Sequence, residues 1–326
     1  MLNHSNAGNQ GVLKGRTLIG RLVFLALIVT SLGVCVLATN EPIVSSTLCY
    51  RGFPLGVTDE VLVNTGYVLG YSDTREDPLW VSYRVFAVSN AVAHPRPSRF
   101  NIDTRTTTQV SHDDYTNSGY DRGHMAPNAT IDYCYGKGAQ LETFYMSNVC
   151  PQIPTLNRGI WAKLEATVRD WANAFEEVWV FTGPIFDDAV ERLPSGVEIP
   201  DAFYKIVIDE VNGLPRVISF VVPQEVQPGM ELDSYVTSVD VVEKMTGFDF
   251  LWNITDPIEE VIEREIPTEL WSVTSNADAD TGVSGSGELC ILEIGRVGTA
   301  GECIAIRNTS IKPPEWIDST LRGDCI

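Results

Sequence analysis

Apolar and polar positions alternate in three distinct ways along the chain. The first is an unbroken apolar run from Leu22 to Ala38, preceded by Lys14, Arg16 and Arg21 and by no acidic residue before Glu41. A cationic stretch followed by a hydrophobic one, closing on Val36-Leu37-Ala38, predicts an export signal over residues 1–38, cut before Thr39. The run of 17 residues also reaches the lower length for crossing a bilayer, so an uncleaved anchor over residues 22–38 is the alternative. Cys35 makes a poor lipoprotein site, because the bulky Val34 precedes it.

The second pattern is a series of short runs rich in β-branched and aromatic residues. Tyr67–Tyr71 and Trp80–Val85 predict strands separated by a charged turn over Asp73–Pro78. Val178–Thr182, Tyr204–Asp209 and Val217–Val222 predict buried strands, with Gly183-Pro184 and Asn212-Gly213 as turns. Between the first pair and the rest, Asn90–Gly119 is rich in Pro, Thr, Ser and Asp and predicts a long loop. Such a loop in a folded domain usually serves function or is disordered.

The third pattern has helical period. Leu164, Val168, Trp171 and Phe175 form one apolar stripe, while Asn157, Trp161, Glu165 and Arg169 recur every four residues on a neighbouring face. One amphipathic helix of about five turns starting at Asn157 is the expectation. Val239–Met245 predicts a short helix stopped by Gly247. Beyond Trp271 the chain turns Ser-, Gly- and Asp-rich, which marks residues 273–289 as a linker. Residues 290–326 form a small cysteine-containing tail, with a hairpin predicted over Cys290–Asn308. Asn276-Ala277-Asp278-Ala279-Asp280 has the opening of a calcium loop, but Thr281 stands where glycine is needed, which argues against one.

Composition changes this picture in two places. A net charge of −20 is the opposite of the usual nucleic-acid footprint, but it is unevenly spread. Arg96–Asp170 holds eight Lys/Arg against eight Asp/Glu, and Asp256 to the end holds five against fourteen. The acidity therefore lies outside the central segment and serves solubility, while excluding tight sequence-specific duplex binding. Seven cysteines leave six after Cys35: Cys49, Cys134, Cys150, Cys290, Cys303 and Cys325. Six in an exported chain predict disulfides, whose pairing sequence cannot choose. No C-x-x-C or Cys/His spacing points to a structural zinc.

The central segment carries the candidate chemistry. His124 follows Asp121-Arg122-Gly123, and a neutral imidazole can take a proton from water; a structural histidine is the plainer reading. Asn157 suits a helix N-cap, and its amide oxygen equally suits a hard cation such as Mg²⁺. Glu165 and Arg169 read either as a surface i,i+4 pair or as groups that order a metal's waters and support a site. Asn148 reads as a turn residue or a pocket residue. Arg99 and Arg122 read as surface charges or as phosphate contacts.

Asp121-Arg122-Gly123-His124, then Tyr145-Met146-Ser147-Asn148-x-x-Pro151-Gln152, then Leu156-Asn157-x-Gly159-x-Trp161-x-x-Leu164-Glu165 together closely resemble the DNA/RNA non-specific endonucleases. These are ββα-metal, or His-Me finger, nucleases and include endonuclease G. Thr182–Phe186 and Ile199–Lys205 also look like family segments, and the likeness runs from Cys49 to about Asn253. The resemblance implies an α+β fold with a central, mostly antiparallel sheet flanked by helices, a nuclease domain over residues 49–272 and the β-rich tail as an appendage. It implies His124 as general base, Asn157 as the sole protein ligand of Mg²⁺ (Mn²⁺ substituting), and Glu165 as the residue that orders the metal's waters. Asn148 then helps set the pocket, Arg99 holds the phosphate, with Arg96 and Arg105 as its rivals for that task, and Arg122 and Arg169 give support. DNA and RNA without sequence specificity are the implied substrates, cut to 5′-phosphate products, and a homodimer is allowed. Two alternatives stay open: a binding module with an inactive nuclease fold, and a phosphodiesterase for smaller nucleotides.

Overall fold

The computed structural model describes residues 47–273 apart from Pro228, and the backbone of 289–296 and 302–308. The expected signal segment, the linker with its calcium-like motif, and Cys325 lie outside the described residues. No helix among those described is long and apolar enough to cross a membrane.

Seven strands build one antiparallel sheet: β1 (Glu60–Val63), β2 (Val68–Ser72), β3 (Asp77–Phe86), β6 (Glu177–Ile185), β7 (Ala202–Val211), β8 (Leu214–Pro223) and β9 (Val236–Thr237), in that order across the sheet. A separate ribbon pairs β4 (Asp121–His124) with β5 (Val149–Gln152). Helices α1 (Asn128–Glu142), α2 (Trp161–Phe175), α3 (Val239–Thr246) and α4 (Asp256–Arg264) complete the domain, and β10 (Leu289–Arg296) pairs with β11 (Glu302–Asn308) in the expected C-terminal hairpin.

Strand side chains alternate between the two faces of the sheet, and both faces are buried. Val81, Tyr83, Val85, Val178, Val180, Phe203 and Val207 meet Leu164, Val168 and Trp171 of α2. Trp80, Trp179, Phe181, Tyr204, Ile206 and Ile208 meet Val239 and Val242 of α3 with Phe248 and Phe250. The helical stripe read from the sequence is thus the one that docks α2. Trp171 anchors it: the ring is buried and its N–H donates to the Trp271 carbonyl at 2.9 Å, so truncation to alanine costs about 3–5 kcal/mol. Gly247 ends α3 in the left-handed conformation (φ 74), as its sequence position predicts.

Four expectations are corrected. Gly183 and Pro184 lie inside β6 and make no turn. A Cβ at Gly183 would sit 2.4 Å from the Leu79 carbonyl oxygen and 2.8 Å from the Tyr204 hydroxyl, so the glycine permits close strand approach. The turn after β2 ends before Asp77, and Asp77-Pro78 open β3. The five-turn helix is a four-turn α2 entered through a separate π turn, Leu156–Ile160, with a break at Gly159. Asn157 therefore sits within that turn and caps nothing.

The fourth correction concerns three of the six cysteines, those among the described residues. Cys49, Cys134 and Cys150 are free thiols. Cys49 packs into the core on one face of the sheet and Cys150 into the core on the other, while Cys134 Sγ donates to the Phe86 carbonyl at 3.6 Å. Burial pushes Cys49 up to about 12, so it stays a protonated, unreactive thiol. In the tail hairpin, backbone register places Cys290 opposite Arg307 and Cys303 opposite Gly295. The sequence also gave no warning of α1, whose Gly136 (φ 78) and Gly138 break any helical pattern.

Candidate active site

The β4–β5 ribbon, the π turn and α2 form a β-β-α unit against the sheet. The ribbon closes tightly because Gly123 has no side chain: a Cβ there would sit 2.1 Å from Gln152 Oε1. Gly123 faces Cys150 and His124 faces Val149 across the pair.

Asn148 locks the chain just beyond the histidine. Its Oδ1 accepts from the Ala126 amide at 2.8 Å, and its Nδ2 donates to the carbonyls of Ala126 and Thr143 at 3.0 and 3.1 Å. With every donor and acceptor of a fully buried amide in use, Asn148 positions His124 and touches no solvent.

His124 lies between Phe100 and Phe144, with ring centroids 5.0 Å from each. It is 9% exposed, and its Nε2 is buried with no partner. Burial, and then the Arg96 guanidinium, push the imidazole down to about 3. The ring is neutral over the whole physiological range, which is the form a proton acceptor needs.

Arg96 rests over the Phe144 ring at 5.6 Å, and its charge bears on both His124 and Glu165. The other two arginines of the loop are committed elsewhere. Arg99 pairs with Asp113 at 2.7 Å in the open. Arg105 grips Asp103 through two nitrogens and also donates to Asn64 and the Val63 carbonyl. Arg122 donates to the His112 carbonyl and to Thr116, so it fastens the short turn His112–Tyr115 to the ribbon.

Asn157 is tied to the ribbon. Its Nδ2 donates to Asp121 Oδ2 at 2.9 Å, and Arg158 makes a two-pronged contact to the same carboxylate at 2.8 and 2.6 Å. Burial works to raise Asp121, but the hydrogen bonds from Arg158 and Asn157 outweigh it and leave the carboxyl below its usual value. Asp121 thus stays ionised and occupied, and the Asn157 oxygen has no donor among the described residues.

Glu165, on α2, makes no hydrogen bond to another described group. Burial pushes its carboxyl up, while Lys205, Arg169 and Arg96, in that order, pull it back. Lys205 is fully buried on β7, donating to Tyr83 and Thr182 hydroxyls at 3.3 and 3.2 Å and lying 4.5 Å from the centre of the Trp161 ring. Burial pushes the Lys205 ammonium down and the Glu165 carboxylate opposes this. Arg169 donates to Thr130 at 3.1 Å, joining α2 to α1.

The structure therefore gathers His124, Glu165, Arg169 and Arg96 into one electrostatic unit, with Asn157 latched to the strand that carries His124. Arg99 and Arg122 stand apart with partners of their own. Sequence reading left Asp121, Lys205, Phe100 and Phe144 without roles. Lys205 had a signal, being a lone cation in the apolar first half of its strand; the two phenylalanines had none, since each reads as ordinary core.

A divalent cation suits these residues on three counts: an amide oxygen free of donors among the described residues, a carboxylate free of hydrogen bonds to them, and neither thiol nor second imidazole beside them to draw a softer metal. The model for DNA/RNA non-specific endonucleases matches residues 44–256. The chain belongs to that family. It is a hydrolase of nucleic acid, a non-specific endonuclease with the ββα-metal fold.

Among curated relatives of this endonuclease is a nuclease of Nostoc sp., 29% identical over 220 residues that cover 63% of this chain and 78% of the relative. Human mitochondrial endonuclease G is 28% identical over 214 residues, covering 58% and 68% respectively. Among solved structures, the crystal structure of an EndoG/EndoGI complex, described as showing the mechanism of EndoG inhibition, superposes with a TM-score of 0.59 at 28% identity. It covers 67% of this chain and 95% of that one.

Proposed function

We propose that this endonuclease hydrolyses the phosphodiester backbone of DNA and RNA with His124 as general base and a divalent cation at Asn157, and that residues 1–38 direct it out of the cytoplasm. The observation that carries the reading is the neutral, unpartnered imidazole of His124 on a strand that Asp121 ties to the Asn157 amide.

His124 accepts a proton from the attacking water, and the aromatic pair around it keeps the ring from turning away. Arg96 faces the non-bridging phosphate oxygens, where its guanidinium can make charge-assisted hydrogen bonds. Burial raises the Glu165 carboxyl to about 7 against the pull of Lys205 and Arg169; in its ionised form it would accept hydrogen bonds from water at the cation. Mg²⁺ bound through Asn157, or Mn²⁺ in its place, would neutralise charge building on the phosphate and the departing 3′ oxygen. Contacts of this kind address phosphate and not bases, so little sequence preference and 5′-phosphate ends are expected.

Plasmid nicking tests the reading. Cleavage in Mg²⁺ should stop in EDTA and return with Mg²⁺ or Mn²⁺, and single-stranded RNA should be degraded under the same conditions. Full activity in EDTA would refute the metal, and resistance of RNA would confine the enzyme to DNA.

The two arginines are separable in the same assay. Arg96→Ala should lower kcat/KM by about tenfold to a hundredfold, the worth of one charge-assisted hydrogen bond. Arg99→Ala should leave it within about threefold, as befits an exposed ion pair. The reverse order would return the phosphate to Arg99.

A further inference from the structure

On the face of the sheet away from α2, five carboxylates crowd together between α3 and α4: Asp240 and Glu243 on α3, Asp249 in the connection, and Glu259 and Glu263 on α4. Carboxylate oxygens of Asp249, Glu259 and Glu263 lie within 4.8 Å of one another, as do those of Asp240, Glu243 and Glu263. Glu263 belongs to both groups.

Acidic residues gather on many surfaces without consequence, but two oxygens here are buried. Glu263 is only 8% exposed, and its Oε1 has no hydrogen-bond partner; Asp249 Oδ1 is equally buried and equally unpartnered. A buried carboxylate oxygen without a donor is costly. The relief is partial: the Phe250 amide donates to Glu243 at 2.8 Å, the Trp252 amide to Asp249, Glu243 and Glu263 meet through one hydrogen bond, and Arg264 reaches only the edge of the cluster, 3.9 Å from Asp240; Glu263 Oε1 and Asp249 Oδ1 keep no partner among the described residues. Burial first, then Glu243 and its neighbouring carboxylates, push Glu263 upward; burial also raises Glu243, opposed by the Phe250 amide and the hydrogen bond with Glu263 and helped by Asp249 and Asp240.

We propose that this cluster is a Ca²⁺ site, with Asp249, Glu259 and Glu263 as its carboxylate ligands. Oxygens on opposite sides of a calcium ion, each at about 2.4 Å, are about 4.8 Å apart, and no two of these three are farther apart than that, so small side-chain adjustments bring them around one ion. Mg²⁺ fits less well, since it holds ligands at about 2.0–2.1 Å in strict octahedral order and keeps its waters. The ligand set has no imidazole or thiol to favour zinc. A bound ion would join α4 to the connection after α3 and hold both against the far side of the sheet, independent of Asn157.

The full chain, freed of metal by chelation, tests this by thermal melting and by equilibrium binding of radioactive Ca²⁺. One ion per chain should bind, and a Ca²⁺ concentration about a hundredfold above Kd should raise Tm by about 5–10 °C, with a smaller response to Mg²⁺. Asn157→Ala should keep the response. Asp249→Asn and Glu263→Gln, which preserve size, should each lose it while cleaving plasmid at 25 °C within about twofold of the parent. Glu259→Gln, more open to solvent, gives a third variant should a buried substitution fail to fold. No Ca²⁺ response in the parent chain would overturn the proposal and leave the buried oxygens sharing a proton. Loss of the response in Asn157→Ala, or its survival in the carboxylate variants, would overturn it as well.

Discussion

His124→Ala is expected to lower kcat by about 10²–10⁴-fold, the usual contribution of a positioned general base, with the fold retained. Asn148 and the ribbon hold the backbone at this position, so circular dichroism and the melting profile should stay close to those of the parent chain. Activity within tenfold of the parent would remove His124 from the reaction. The same residue carries a stability effect with a definite sign. In the folded chain the imidazole is pushed down to about 3 from 6.5. Between those two values the unfolded chain binds a proton that the folded one refuses, so stability falls as pH drops from about 6.5 towards 3. His124→Phe keeps an aromatic ring between Phe100 and Phe144 and cannot titrate. Its urea midpoint should therefore fall less than that of the parent between pH 7 and pH 4.5; an equal fall would show that His124 does not govern acid sensitivity.

Lys205→Met carries the second large effect. Methionine keeps the unbranched apolar stem and removes the charge that does most to hold down Glu165. Without it the carboxyl should titrate about one pH unit or more higher. Protonated, Glu165 no longer accepts hydrogen bonds from water on both oxygens. Activity at pH 7 should fall by about tenfold for each unit of that change and recover substantially by pH 9. Because His124 is already neutral above about pH 3, the acid limb of the rate profile belongs to Glu165 and should move with this substitution. A loss of equal size at every pH would assign Lys205 to folding alone.

How much of this was legible beforehand depends on distance along the chain. The stripe Leu164, Val168, Trp171 and the β6, β7 and β8 strands follow from periodicity, because each is a local pattern with one buried face. The motif around His124 and the Asn157–Glu165 spacing also lie within short windows, so the candidate base and ligand were visible. The different surroundings of Arg96 and Arg99 were not, since both are loop arginines and only the fold shows which one Asp113 has claimed. Lys205 lies 40 residues beyond Glu165, and nothing local announces that β7 passes beneath α2. Cys49 and Cys150 do not pair with each other for a similar reason: counting cysteines ignores the sheet that keeps these two on opposite sides. Residues 183–184 failed because a glycine that permits close contact looks the same in sequence as one that turns the chain.

The π turn at Leu156–Ile160 has a consequence for how such a site tolerates change in length. Eight residues of straight α-helix rotate by about 800°, which leaves the first and last about 80° apart around the axis. Asn157 and Glu165 are separated by that interval, and the wider turn with its break at Gly159 absorbs part of the rotation. Straightening this turn into regular helix at the same length would set the amide about 80° from the carboxylate around the axis, whereas losing one residue as well would bring the two back to about 20°. An irregularity that a designer would tidy away is therefore what sets the angle between the two groups.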